Sequence, residues 1–194
     1  MIEIYTQKID GALFAIALNQ QQIIAASFGE NQQTTINNVL GNVPFDMSFQ
    51  FFHESSAFAK KTFAALNDIY GGKDAKNNLA LATSNLPAYT KTVLKATSAI
   101  PIGYVTSYGE IAKTVGGGPR AIGNIMARNP FVLIVPCHRV VKADFTLGGY
   151  GGGLKVKLEI LGREKRNFSS SREIEVDGEK LRILPTEYVI RKIA

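Results

Sequence analysis

Three short runs over the first thirty positions, at 2–5, 13–18 and 23–28, are apolar or alternating. Polar breaks such as Asn19-Gln20-Gln21-Gln22 separate them. Runs of this length and period predict strands. From 54 to 70 the period changes. Phe58, Leu66, Ile69 and Tyr70 recur near helical spacing, and Gly71-Gly72 supplies a stop. Tyr5, Tyr70 and the many Phe residues of this half are expected in the core, and His53 at the surface or in packing. The stretch 73–85 is polar and irregular and reads as a linker.

The second half carries more punctuation. Pro87 can open a helix that runs to about Ala99, before Pro101. Ser107-Tyr108-Gly109-Glu110 fits a capping box and opens a short helix through Val115. Gly116-Gly117-Gly118 breaks it, and Pro119 starts another that ends near Asn129-Pro130. Two short helices joined by a glycine turn outline a helix-turn-helix. The continuous apolar run 131–135 predicts a buried strand. Gly148 to Gly153 holds five glycines and Tyr150, and a last helix follows with Leu154, Leu158 and Leu161 on one side. The tail alternates around Asp177-Gly178, which predicts a hairpin. The expected fold class is α+β: a small N-terminal sheet-containing lobe with its linker (1–85), a mostly helical C-terminal domain (86–165), and an extension (166–194).

Composition narrows the function. Hydrophobic residues form 45% of the 194 and charged residues 20%, so the chain can bury a core. No apolar run approaches the ~20 residues of a membrane span, and the first residues do not resemble a signal peptide. One cysteine leaves no internal disulfide and suits a reducing cytoplasm. The net charge of +6 favours an anionic partner such as nucleic acid, although Lys and Arg are spread along the chain.

The candidate chemistry centres on Ile134-Val135-Pro136-Cys137-His138-Arg139-Val140. A cysteine reacts as its thiolate, which needs help at neutral pH. His138 is the adjacent base, acting directly or through water. Neighbours on a regular strand face opposite ways, so direct contact needs an irregular backbone. Glu164 is the candidate to orient the histidine. A lone cysteine in apolar surroundings is more often an inert core residue. The helix-turn-helix just upstream shifts the balance toward chemistry on nucleic acid. One Cys and two His give too few soft ligands for a metal site.

These residues resemble the O6-alkylguanine-DNA alkyltransferases. Ile100-Pro101-Ile102-Gly103 with Ser107-Tyr108, Arg120-Ala121-Ile122-Gly123, Asn129-Pro130, the Pro-Cys-His-Arg motif and Gly148 to Gly153 follow the family's order from about Tyr89 to Glu164. The N-terminal half matches only in outline. The resemblance implies base flipping from duplex DNA and irreversible alkyl transfer from O6-alkylguanine, and from O4-alkylthymine, to Cys137. His138, a water and Glu164 would form the deprotonating relay. Tyr108 would help rotate the base and donate a proton toward the leaving guanine. Asn129 would be the hinge. Arg120 would fill the gap in the stack, with Ser107, Tyr108, Ala121, Gly123 and Arg128 also on the DNA. Val140, through its carbonyl, would bind the guanine amine, and Tyr150, Gly151, Met126 and Pro136 would line the pocket. No cofactor or metal is implied. The expected partner is double-stranded DNA carrying the lesion. The expected state is a monomer, with self-association on DNA or through the extension left open.

The recognition-helix residues 121–127 are mostly small or apolar. They offer few of the side chains that read major-groove base edges. They suit close approach to a minor groove on one face and core packing on the other. Gly151 departs from the serine or alanine common in the family. The rival readings are a non-catalytic lesion binder, against which Cys137 stands, a sequence-specific helix-turn-helix regulator, and a thiol hydrolase.

Overall fold

The computed structural model describes residues 1–75 and 79–193. The centre of the expected linker, 76–78, and the last residue of the extension lie outside the described residues. The class is α+β, with two four-stranded sheets and seven helices among the described residues. Two compact units form. One comprises 1–69, 75–85 and 130–134; the other comprises 70–74, 86–129 and 135–194.

In the first unit, β1 (Ile2–Ile9), β2 (Ala12–Asn19) and β3 (Gln22–Gly29) form an antiparallel meander. Asp10 and Gly11 both take positive φ, 47° and 83°, which suits a tight two-residue hairpin turn. Two elements were not expected. Helix α1 (Gln32–Leu40) is polar, but Asn31 caps Thr34 N at 2.9 Å and Val39 enters a core with Ile2, Ile4, Ala15, Ala17 and Ala25. Strand β4 (Phe49–Phe51) pairs in parallel with β1 at the sheet edge. Helix α2 (Ala57–Tyr70) follows. Tyr5 and Tyr70 are buried as expected, whereas Phe45, Phe49 and Phe51 are exposed. Phe49 and Phe51 stand on the edge strand β4 and Phe45 in the turn before it, while Val43 and Met47 of the same segment pack on the core.

The run 131–135 is not a strand. Phe131 makes only an isolated bridge to Ala26, and Leu133 turns the chain with a φ of +71°. A continuous apolar run signals burial, and Phe131, Leu133 and Val135 are indeed buried, but it does not fix the backbone.

In the second unit, α3 (Ala88–Ser98), β5 (Tyr104–Ser107), α4 (Tyr108–Val115) and α5 (Pro119–Ala127) precede a single 3-10 turn at Cys137–Arg139. Then come β6 (Val140–Val141), α6 (Leu154–Arg163), β7 (Arg172–Val176), β8 (Glu179–Pro185) and α7 (Glu187–Ile193). Ser107 Oγ accepts from Glu110 N at 3.1 Å, which is the cap that starts α4. Proline at the first position and Gly118 at the cap start α5.

The stretch 166–194 is not separate. Its hairpin turns at Asp177-Gly178 as expected, but β8 then pairs antiparallel with β5, giving the sheet order β6-β5-β8-β7. Thr114 Oγ1 donates to Lys180 O at 2.9 Å, and Lys95 pairs with Asp177. The last helix of the expected core also differs. Leu154 is exposed; Lys157, Ile160 and Leu161 are the buried face of α6.

The end of α6 is tied to Tyr70 and Gly72, which belong to this second unit. Arg163 donates to Tyr70 O at 3.1 Å and stacks on its ring, and Arg166 donates to Gly72 O. Gly72 has a φ of +77°, and a Cβ there would collide with Arg163 O. No rotamer relieves a clash with main chain. Gly72→Ala is expected to lower stability by about 2–4 kcal/mol, from the left-handed backbone and the forced separation together. Urea unfolding measures it.

Among the described residues no helix is long and apolar enough to cross a membrane.

Candidate active site

Cys137 is buried, 6% exposed, at the start of the 3-10 turn. Its amide donates to Val135 O at 2.8 Å, and Arg139 N donates to Pro136 O at 2.9 Å. The turn supplies the irregular backbone that a cysteine and its neighbouring histidine would need to work together. Asn129 stands behind it: its side-chain amide donates to Val135 O at 3.0 Å and spans the segment before the cysteine. Pro136 is buried in the same turn.

His138 and Glu164 are fully buried, with Nε2 and Oε1 3.0 Å apart. Arg139 completes the cluster. Its Nε lies 3.1 and 2.9 Å from the two carboxylate oxygens, its Nη2 2.6 Å from Oε1, and its Nη1 donates to Ile100 O at 2.6 Å. Burial opposes ionisation of Glu164, but the His138 and Arg139 donors outweigh it and hold the carboxyl at about 2. An ionised carboxylate only accepts, so Nε2 of His138 must carry the hydrogen in this bond. Nδ1 is then a lone-pair acceptor, and it has no partner in the structure. Burial lowers the His138 pKa, which keeps the ring neutral and leaves the lone pair at Nδ1 open.

The same bonds make stability depend on acid. Glu164 ionises in the folded chain down to about 2 but in the unfolded chain only to about 4.5. Its contribution is complete above 4.5 and is lost as pH falls toward 2, because there the unfolded chain takes up the proton first. Urea midpoints measured from pH 6 to pH 3 should fall steeply. They should fall less in Glu164→Gln.

Burial raises the Cys137 thiol, and hydrogen bonding from Asn129 and the charge of Lys157 oppose the rise. Lys157 was not anticipated. A lysine on a helix ordinarily reads as solvent face. Here it is fully buried, and its ammonium donates to Val140 O at 2.6 Å and Leu147 O at 2.5 Å, with Gly149 O at 3.5 Å. Desolvation brings it down to about 8, with the Cys137 charge opposing. It ties β6 to the glycine loop that follows.

Tyr108, at the first turn of α4, is half-buried, and its hydroxyl points to Gly149 O at 3.5 Å. Gly148 has a φ of +66°, and a Cβ there would lie 2.9 Å from the Tyr108 ring and hydroxyl, so glycine permits the approach. Tyr150 lies in the same loop with its hydroxyl buried. A Cβ on Gly151 would meet nothing within 4 Å, so the space there does not require glycine.

On α5, Ile122 and Met126 are buried, and Arg120, Asn124, Ala127 and Arg128 are exposed, with Ala121 and Gly123 between. Met126 is held in the helical core, its sulfur 3.7 Å from Thr97 Oγ1. The helix is therefore core on one face and open on the other. The structure brings Cys137, His138, Glu164, Asn129, Val140 and Tyr150 into one cluster with Tyr108 at its edge. Ser107 is engaged as a helix cap. His53 is exposed and remote in sequence from this cluster.

Residues 88–166 match the family model described as the 6-O-methylguanine DNA methyltransferase DNA-binding domain. The chain is 57% identical over 65 residues to a methylated-DNA–protein-cysteine methyltransferase of Pyrobaculum aerophilum, a match covering 34% of this chain and 44% of that protein. It is 35% identical over 124 residues to one of Saccharolobus islandicus, covering 63% of this chain and 74% of that protein. In the first of these matches the chain spans less than half of its relative's length. Among solved structures it resembles Mycobacterium tuberculosis OGT in complex with DNA, with a TM-score of 0.68 at 28% identity, covering 84% and 92% of the two chains. It also resembles the O6-methylguanine-DNA methyltransferase of Pyrococcus kodakaraensis, with a TM-score of 0.66 at 25% identity, covering 84% and 99%.

Proposed function

This chain belongs to the methylated-DNA–protein-cysteine methyltransferase family, and from that premise we propose that it repairs O6-alkylguanine in duplex DNA by taking the alkyl group onto Cys137. The observation that carries the reading is the buried Cys137–His138–Glu164–Arg139 cluster. It gives the chain's sole cysteine a neutral base whose tautomer is fixed by an ionised carboxylate.

The chemistry follows from the groups. His138 Nδ1 takes the thiol proton, and the resulting imidazolium is stabilised by Glu164. The thiolate attacks the alkyl carbon in line, an S–C bond forms, and the C–O6 bond breaks with its electrons passing to guanine. Tyr108, beside the glycine loop, supplies the proton that the leaving guanine needs. The product is a thioether, and no second nucleophile in the cluster is poised to cleave it. One chain therefore repairs one lesion.

The open face of α5, with Arg120 at its start, approaches the minor groove, and Arg120 fills the gap when the base turns out. Arg128, Ala121 and Gly123 lie along the same surface. Val140 O binds the guanine amine while Lys157 holds the same carbonyl from the other side. Tyr150, Gly151, Met126 and Pro136 line the pocket. The protein acts as a monomer on O6-alkylguanine, and also on O4-alkylthymine, in the reducing interior of the cell.

The test is stoichiometry. With a duplex carrying one O6-methylguanine, lesions repaired should rise with protein and plateau at one per chain. Continued repair beyond that ratio, or none, would overturn the proposal.

A further inference from the structure

Among the described residues, only two buried side-chain polar atoms lack a hydrogen-bond partner, His138 Nδ1 and the Tyr150 hydroxyl. Both lie beside the same groups: His138 on Glu164, and Tyr150 in the fields of Glu164 and Cys137 and next to Lys157, whose ammonium also holds Val140 O two residues after His138. His138 follows Cys137 and is anchored on Glu164 at 3.0 Å. Tyr150 is carried on the glycine loop that Lys157 ties to β6, and the Lys157 ammonium lies 5.9 Å from its ring centre. The loop is fixed around the ring: Gly153 N donates to Tyr150 O at 3.0 Å, and a Cβ on Gly152 would stand 3.1 Å from the ring.

Buried polar atoms are satisfied in folded proteins, and two unsatisfied ones in one polar cluster are most simply satisfied together by a shared water. We propose that the Tyr150 hydroxyl is a positioning group for thiol deprotonation, holding jointly with His138 Nδ1 the water that relays the Cys137 proton. The water accepts the thiol hydrogen, donates one of its own to Nδ1, and is held in line by the phenol. Cys137 ends as thiolate and His138 as imidazolium, its Nε2 hydrogen still bound to nitrogen and donated to Glu164. The phenol gains and loses nothing. The fields of Cys137 and Glu164 add to burial in keeping its proton on.

This role is distinct from contact between the tyrosine ring and a flipped base. It rests on the alkyl-transfer reading for what the thiolate attacks, but not for how the thiolate forms. Glu164 acts through His138, and the groups that act on Cys137 itself are Tyr108 from α4, Lys157 from α6, the backbone amide of His138 in the turn, Asn129 after α5, and Tyr150. Tyr150→Phe changes only the last and keeps its ring.

Because Cys137 is the only cysteine, iodoacetamide reports its thiolate directly. The rate of carboxamidomethylation would be measured against pH in the native protein, Tyr150→Phe, His138→Ala and the double variant. Tyr150→Phe should move the midpoint up by about one pH unit and slow the reaction at neutral pH about tenfold. Its affinity for an O6-methylguanine duplex should stay within about twofold of native, and its thermal midpoint should not rise. The double variant should lose little beyond His138→Ala, since both act through one water. An unchanged pH profile would overturn the proposal. So would lost duplex affinity with an unchanged profile, which would assign the hydroxyl to the base, or a raised thermal midpoint, which would mean the hydroxyl had no partner. If iodoacetamide behaves as expected but no lesion is repaired, it is the alkyl-transfer reading that fails.

Discussion

Cys137→Ser is expected to abolish alkyl transfer while leaving duplex binding within about twofold of native. The side chains differ by one atom, and the site is buried, so packing around the turn is nearly kept. The exposed face of α5, with Arg120 and Arg128, is untouched. What changes is acidity. His138 is a neutral imidazole whose pKa burial lowers further. A serine hydroxyl is far less acidic than a thiol, so His138 cannot hold it ionised ahead of attack on the alkyl carbon. Removing a nucleophile that works as part of a unit removes nearly all of the acceleration, on the order of a million-fold in well-studied cases. Single-turnover assays with gel-shift binding in parallel measure both quantities. Residual stoichiometric transfer in the serine variant would mean that another residue accepts the alkyl group.

The second large effect is on Arg139. Its guanidinium makes three contacts to the Glu164 carboxylate and one to Ile100 O, all buried. Arg139→Ala leaves an ionised carboxylate fully buried with His138 as its remaining partner. Removing one member of a buried pair costs about 3–5 kcal/mol, because the other charge stays behind without compensation. Glu164 would then hold its proton more readily. A protonated carboxyl no longer dictates which nitrogen of His138 carries hydrogen, so transfer should fall along with stability. Denaturant unfolding and transfer rates check the two effects. A loss under about 1 kcal/mol would show that the pair is not the buried anchor described above. Arg139→Lys should rescue only in part, since an ammonium cannot reproduce the fork.

The sequence made the local features legible. The Ser107 cap, the glycine break at 116–118 and the hairpin at Asp177-Gly178 depend on near neighbours, and each formed as expected. Cys137 and His138 are adjacent, and their place after Pro136 could be read directly. Arg139 stood in the motif, but its role depends on Glu164, 25 residues on. Lys157 was invisible for a similar reason. Its burial is made by carbonyls of Val140 and Leu147, on segments far from it in the chain. The same limit explains the extension. A hairpin was evident, but its pairing with β5 is set by packing, not by the turn. The run 131–135 predicts a strand but forms a turn, because apolarity reports burial and not backbone form. Helix α1 is too polar, and β4 too short, to carry a clear period.

The most direct measurement is the mass of the intact protein after incubation with a duplex containing O6-methylguanine. One methyl should replace one hydrogen, saturating at a single event per chain and mapping to the peptide that holds Cys137. An unchanged mass in the presence of excess lesion, or a methyl found on any other residue, would contradict alkyl transfer to Cys137.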